Sequence, residues 1–136
     1  MAAPSAIQAQ EARRYVDPRT TADTVAGPFS GGVLAGNTFY LAGKIGLTPD
    51  RRVPATAAEE ARLVLNDIKA TLAQVGMSMD DLVTVQIFCS DVANYDAFNR
   101  VYRTYFTKEF PARAFLGAGT LLFGARFEVQ AIAVRR

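Results

Sequence analysis

The feature that most constrains this chain is one apolar stripe with a stop signal at each end. Ala61, Val64, Leu65, Ile68, Leu72 and Val75 recur at helical spacing. Thr56 and Glu59 form a capping-box pattern ahead of them, and Gly76 offers a left-handed stop behind. A helix with a single apolar face must lay that face on another layer. The flanking sequence supplies one. Gly31 to Gly43 reads as a hairpin, in which Val33-Leu34-Ala35 and Thr38-Phe39-Tyr40-Leu41-Ala42 flank a two-residue Gly36-Asn37 turn. Thr48-Pro49-Asp50 then opens a polar loop. Leu82 to Ser90 reads as a strand. Asp91 or Asn94 caps a second helix whose face is Tyr95, Phe98, Val101, Tyr102, Tyr105 and Phe106, and Pro111 ends it. These aromatics read as core, not as a platform for stacking bases. Residues 113–118 and 126–134 read as the last two strands.

The order β-β-α-β-α-β-β, with one stripe per helix, predicts an α+β two-layer domain: a mixed sheet with two helices on one face. Phe39, Leu41, Phe88, Phe127 and Val129 are read as apolar cover for both sheet faces. The second face is therefore expected to be buried against another subunit.

Composition narrows the chemistry. A chain of 136 residues suits one domain. Residues 1–25 read as an N-terminal extension and residues 26–136 as the domain, starting near the Gly27-Pro28 turn signal. The net charge is +2, and the pairs Arg13-Arg14, Arg51-Arg52 and Arg135-Arg136 read as solvated surface. No basic stripe with interleaved aromatics is present, so no nucleic-acid partner is expected. The count of histidines is zero, which removes Ser-His-Asp triads, Cys-His pairs and His-ligated metals. The single cysteine, Cys89, can form neither an internal disulfide nor a thiolate cluster, and reads as buried filler in an apolar run. No segment approaches the roughly 18–20 apolar residues of a membrane span, so no membrane association is expected. The stretch from Met1 to Ile7 lacks the charged and apolar regions of an intact signal peptide. A cytoplasmic location is expected, with a leader removed beforehand as the open alternative.

Five segments in order then carry a resemblance. Gly27-Pro28-Phe29-Ser30-Gly31-Gly32 resembles the Gly-Pro-Tyr-Ser-Gln-Gly opening of the Rid (YjgF) family. Gly36-Asn37 with Leu41-Ala42-Gly43-Lys44-Ile45 resembles its Gly-Asn and Ser-Gly-Gln-Ile strand. Phe98-Asn99-Arg100-Val101-Tyr102 with Tyr105-Phe106 resembles its second helix. Phe110-Pro111-Ala112-Arg113 resembles its Pro-Ala-Arg motif, and Phe127-Glu128-Val129-Gln130-Ala131-Ile132-Ala133 its closing strand. The resemblance implies a chorismate-mutase-like fold and a homotrimer whose sheets form a central barrel, with active sites in the clefts between subunits. It also implies hydrolysis of 2-imino acids, or their enamine tautomers, to 2-keto acids and ammonia without metal or organic cofactor.

That chemistry matches the residues. An imine carbon is already electrophilic, so the protein must hold the carboxylate, present a water and supply protons. The planar fork of an arginine can donate two parallel hydrogen bonds to a carboxylate, and Arg113, just after the Pro turn, is assigned that role. Glu128 matches the family glutamate that helps hold the attacking water; as an interface carboxylate it would do no chemistry, and both readings stand. Asn99 is read as a ligand contact or as packing, and Gly43 as a close backbone approach to ligand or a β-bulge glycine. Five positions depart from the family pattern. Phe29 replaces a tyrosine, Ala42 a serine and Lys44 a glutamine, while Ala114-Phe115 replaces a Ser-Cys or similar pair. Phe29, Ala42, Lys44 and Phe115 are read as substrate contacts that shift the substrate range, Lys44 either adding a cation to the cleft or lying on the surface. The competing functions are a non-catalytic ligand-binding or chaperone-like trimer, and a ribonuclease, which the lack of histidine and of a basic stripe disfavours.

Overall fold

Thr56 starts the first helix as its pattern requires: its Oγ1 accepts the Glu59 N–H at 3.2 Å. The helix α1 runs Ala57–Ala73 and buries Ala61, Val64, Leu65, Ile68 and Leu72. Gly76, at φ +73°, carries the chain out of it. The computed structural model describes residues 12–19, 25 and 27–136. Within them lie six strands, β1 (Arg14–Val16), β2 (Gly32–Ala35), β3 (Thr38–Lys44), β4 (Leu82–Cys89), β5 (Ala112–Gly117) and β6 (Phe127–Val134), and a second helix, α2 (Tyr95–Tyr102). The β2–β3 turn has positive φ at Gly36 but not at Asn37, the pattern of a II′ turn, which favours glycine in the first central position.

The strands form one mixed sheet in the order β1-β2-β3-β6-β4-β5. The β4–β5 pair is parallel and the others are antiparallel. β1 falls in the segment read as an extension; the remainder of that segment, apart from residues 12, 13, 17–19 and 25, lies outside the described residues. Arg14 pairs with Leu34 and Val16 with Gly32, and Val16 is buried. Three residues in a charged stretch give no usable alternation, so this strand has no local signature.

Both helices pack on one face, as expected. Phe39, Leu41, Val85, Ile87, Phe127, Val129, Ala131 and Ala133 are buried beneath them with Val64, Leu65, Ile68 and Phe98. This corrects the assignment of faces. Of the five strand residues read as covering both sides, Phe39, Leu41, Phe127 and Val129 all lie under the helices, and among the five only Phe88 takes the other side. The period of two places Tyr40, Thr84, Gln86, Phe88, Glu128, Gln130 and Ile132 on that open face, which is mixed rather than continuously apolar.

The second helix is shorter than its aromatic pattern. It gives way at Arg103–Tyr105 to a 3₁₀ turn. Asp91 caps the 3₁₀ turn Val92–Asn94 by accepting the Ala93 N–H at 2.9 Å, and Asn94 makes no side-chain cap. Tyr95, read as core, stays 44% exposed.

One buried polar group holds the start of β6. Glu60 on α1 has no exposed surface. It accepts the backbone N–H of Arg126 at 2.7 Å and of Phe127 at 3.0 Å, and Arg126 Nη1 at 3.0 Å. Arg126 also donates to the carbonyls of Pro54 and Ala55. Among the described residues no helix is long and apolar enough to cross a membrane.

Candidate active site

Arg113 is the second residue of β5 and pairs in register with Val85. Val85 is buried under the helices, so Arg113 projects to the helix side as well. There α2 presents Tyr95, Asn99 and Tyr102, with Arg103 just beyond, at the i, i+4, i+7, i+8 spacing of one helical face. Arg113 Nη1 donates to Asn99 Oδ1 at 2.8 Å. The guanidinium carbon lies 4.8 Å from the Tyr102 ring centroid, 5.6 Å from Phe115 and 5.7 Å from Tyr95. Ring faces at these distances attract the cation electrostatically. A pocket of about 210 Å³ opens beside it, lined by Tyr95, Asn99, Tyr102, Arg103, Phe110, Pro111 and Arg113.

Two polar features of this pocket are unfinished. Among the described residues Arg113 has no carboxylate partner, and Asn99 is its only hydrogen-bond acceptor. The rest of its donor fork is free to meet an anion. The Tyr102 hydroxyl is buried with no hydrogen-bond partner. Burial pushes its pKa up to about 12, against the opposing pull of the Arg113 cation, so the phenol stays protonated.

Glu128 lies elsewhere. It falls between Phe127 and Val129, both fully buried under the helices, and therefore points to the open face, opposite Phe88. Gly43 sits where the β3–β6 register shifts between Leu41 and Lys44. It is a bulge glycine and also a close approach: a Cβ there would overlap Glu128 Oε2 and meet its Cδ at 3.1 Å. The neighbouring Ala42 N–H donates to the Gly31 carbonyl at 3.0 Å, which ties the loop containing Phe29 to the same end of β3. Phe29 itself is 59% exposed. Lys44 turns the other way. It pairs with Val129 and reaches Asp67 on α1, Nζ to Oδ1 3.6 Å, with its side chain 11% exposed. Its ammonium is thus brought neither to Glu128 nor to Arg113.

The predicted residues therefore separate into two groups. Arg113, Asn99 and Phe115 share the helix side of β5. Ala42, Gly43 and Glu128 meet at the other face, near the Phe29 loop. One chain does not bring Arg113 and Glu128 together, because they point from opposite faces and β4 separates their strands. Tyr95, Tyr102, Arg103, Phe110 and Pro111 complete the Arg113 pocket without having been read as site residues. The spacing of Tyr95, Asn99, Tyr102 and Arg103 is the signal that would have found most of them. Among the described residues no group of three or more His, Cys, Asp or Glu could hold a metal ion.

These features define a class: two-layer α+β domains that hold a cation without a counter-ion at the sheet edge. Comparison with known proteins narrows it. A family model described as Endoribonuclease L-PSP matches residues 20–135. The goat protein named 2-iminobutanoate/2-iminopropanoate deaminase is 35% identical over 124 residues, covering 90% of each chain. The crystal structure of the Escherichia coli YjgF gene product matches with a TM-score of 0.78 at 34% identity, covering 85% of this chain and 94% of that one. That of E. coli TdcF with bound serine matches at 0.81 and 28% identity, covering 90% and 100%. The chain belongs to the Rid (YjgF) family.

Proposed function

We propose that the protein hydrolyses 2-imino acids, or their enamine tautomers, to 2-keto acids and ammonia. Arg113 holds the carboxylate, and Glu128 of a neighbouring copy holds the attacking water. The observation that carries this reading is Arg113 itself: a half-buried guanidinium, oriented by Asn99 and three rings, with no carboxylate partner among the described residues. A cation in that state is preorganised for a carboxylate, and partial desolvation strengthens the pair. Water adds to the iminium carbon and gives up a proton as the C–O bond forms. The resulting carbinolamine then expels ammonia as the carbonyl closes. A carboxylate beside the water orients it and accepts that proton.

The opposite orientation of Arg113 and Glu128 supports a cleft assembled from two subunits, and the mixed open face supports a covering partner. Residues 26–136 form the domain in this reading, with β1 added to its sheet from the preceding extension, the assembly is a homotrimer, and the location is cytoplasmic. Phe29, Ala42, Gly43 and Phe115 then border the substrate, and the departures from the family pattern at Phe29, Ala42 and Phe115 shift its range. The altered side chains also favour a second reading, a ligand-binding trimer without catalysis.

The test is subunit complementation. Arg113→Ala and Glu128→Ala should each lower kcat/KM for 2-iminopropanoate, Arg113→Ala by about 100-fold or more. Co-expression of the two variants should restore about a quarter of wild-type activity, because in a heterologous ring that share of clefts receives both native residues. No recovery in mixed trimers would refute the split cleft. No acceleration of ammonia release by the wild type would favour the non-catalytic reading.

A further inference from the structure

We infer that the Arg113 pocket takes a dianionic ligand, with Arg103 holding a second acidic group, so that the substrate class is a 2-imino dicarboxylate. This rests on Arg113 as the carboxylate anchor and extends it to the far end of the substrate.

The first observation is the charge of the lining. Seven residues line the pocket; two are arginines and none is an acid. The Arg103 side chain is exposed and, among the described residues, makes no hydrogen bond or ion pair. Arg113 has none but its bond to Asn99. Neighbouring acids do not enter: Asp96 and Glu109 flank the lining residues Tyr95 and Phe110 but do not themselves line the pocket. Two guanidiniums sharing one small cavity repel each other, and a dianion relieves both at once.

The second observation is position. Arg103 follows Asn99 by one helical turn, on the row that also carries Tyr95 and Tyr102. Arg113 lies against Tyr95, Asn99 and Tyr102 along that row, and Arg103 ends it. Between them the walls are the rings of Tyr102 and Phe110. The lining thus joins two cations with apolar ring walls, a combination that suits a short methylene chain with a carboxylate at each end. Its 210 Å³ lies below the roughly 300 Å³ at which drug-sized sites begin, and so suits a small metabolite. The Tyr102 hydroxyl, protonated, adds no opposing negative charge.

Binding of keto-acid products tests the inference without relying on turnover. Calorimetry on the full-length protein compares 2-oxoglutarate with 2-oxobutanoate. The wild type should bind 2-oxoglutarate about fivefold tighter, the scale of one solvent-screened ion pair. In Arg103→Gln the ratio should fall to about one, and in the wild type it should shrink as salt rises. Equal affinities in the wild type, or a preference for 2-oxoglutarate that survives Arg103→Gln, would overturn the inference. Arg113→Ala separates the two claims. If it abolishes binding of both acids while the ratio ignores Arg103, the anchor stands and the dicarboxylate class falls. If it leaves both affinities unchanged, the anchor falls and takes this inference with it.

Discussion

The Arg113 pocket and the Glu128 seat are built from different materials. Arg113 stands on β5, the edge strand, and is held by one side-chain hydrogen bond and three ring faces. Glu128 stands on β6, between β3 and β4, where backbone ladders run on both sides. The entry to β6 is clamped by buried Glu60, and the space for the Glu128 carboxylate exists because Gly43 has no side chain. A central strand with a buried ionic clamp admits little adjustment. An edge strand packed by rings can change its side chains without losing the sheet. Identity with the named relatives is modest, and three of the departures noted in the sequence fall within or beside these two regions: Phe115 at the pocket, Ala42 and Phe29 near the seat. In the proposed reaction the seat serves the attacking water, and the pocket serves the carboxylate through Arg113 and the rest of the substrate through its other walls.

The largest effect should come from breaking the clamp. Glu60→Ala leaves two backbone N–H groups without their acceptor in a buried site and takes from Arg126 Nη1 one of its two acceptors. The expected loss is about 3–5 kcal/mol of unfolding free energy, read by urea denaturation. Glu60→Gln, which keeps the shape and one acceptor, should lose less. If Glu60→Ala lost under about 1 kcal/mol, within the range of an ordinary surface pair, the claimed rigidity of the seat would fail.

Gly43→Ala sharpens the comparison by moving Glu128 and sparing Arg113. The added Cβ collides with the end of a flexible side chain, so the fold should keep its stability to within about 1 kcal/mol. The carboxylate must swing away. In the proposed reaction kcat should fall about tenfold, because a mispositioned water is felt in the chemical step. Affinity for a 2-keto acid, which depends on Arg113, should change far less. A large loss of affinity with kcat intact would reverse the roles given to the two regions.

How much of this was legible in the chain follows from how local each signal is. The helix α1 was readable because Thr56, the apolar stripe and Gly76 all act within a few turns. The β2–β3 hairpin was readable from Gly36-Asn37 for the same reason. β1 was not, since Arg14–Val16 becomes a strand only by pairing with β2. Arg113 and Glu128 stood out through their motifs, but their opposite orientation depends on the β6-β4-β5 order, which no short segment contains. Lys44 was misread for a similar reason: the bulge at Gly43 sets which side it faces. Aromatic residues at helical spacing carry no mark separating a ring that joins the core, as Tyr102 does, from a half-exposed pocket wall such as Tyr95.

The smallest effect, on Tyr102, tests whether the pocket gives up stability that the seat does not. A buried hydroxyl without a partner destabilises by roughly 1–3 kcal/mol, so Tyr102→Phe should raise the unfolding free energy by about 1 kcal/mol near neutral pH. The pH dependence gives an independent reading. The phenol ionises near 10 when unfolded but only at about 12 when folded. Between those values the unfolded chain has released a proton that the folded chain still binds. Stability should therefore be insensitive to this group below about pH 10 and fall as pH rises from there to about 12, by up to roughly 1.4 kcal/mol per pH unit. Tyr102→Phe should remove that component while retaining the ring face over Arg113. An unchanged alkaline slope in the variant, together with no gain at neutral pH, would mean that the hydroxyl is solvated or bonded in solution, and the contrast between an unfinished pocket and a finished seat would then rest on Arg113 alone.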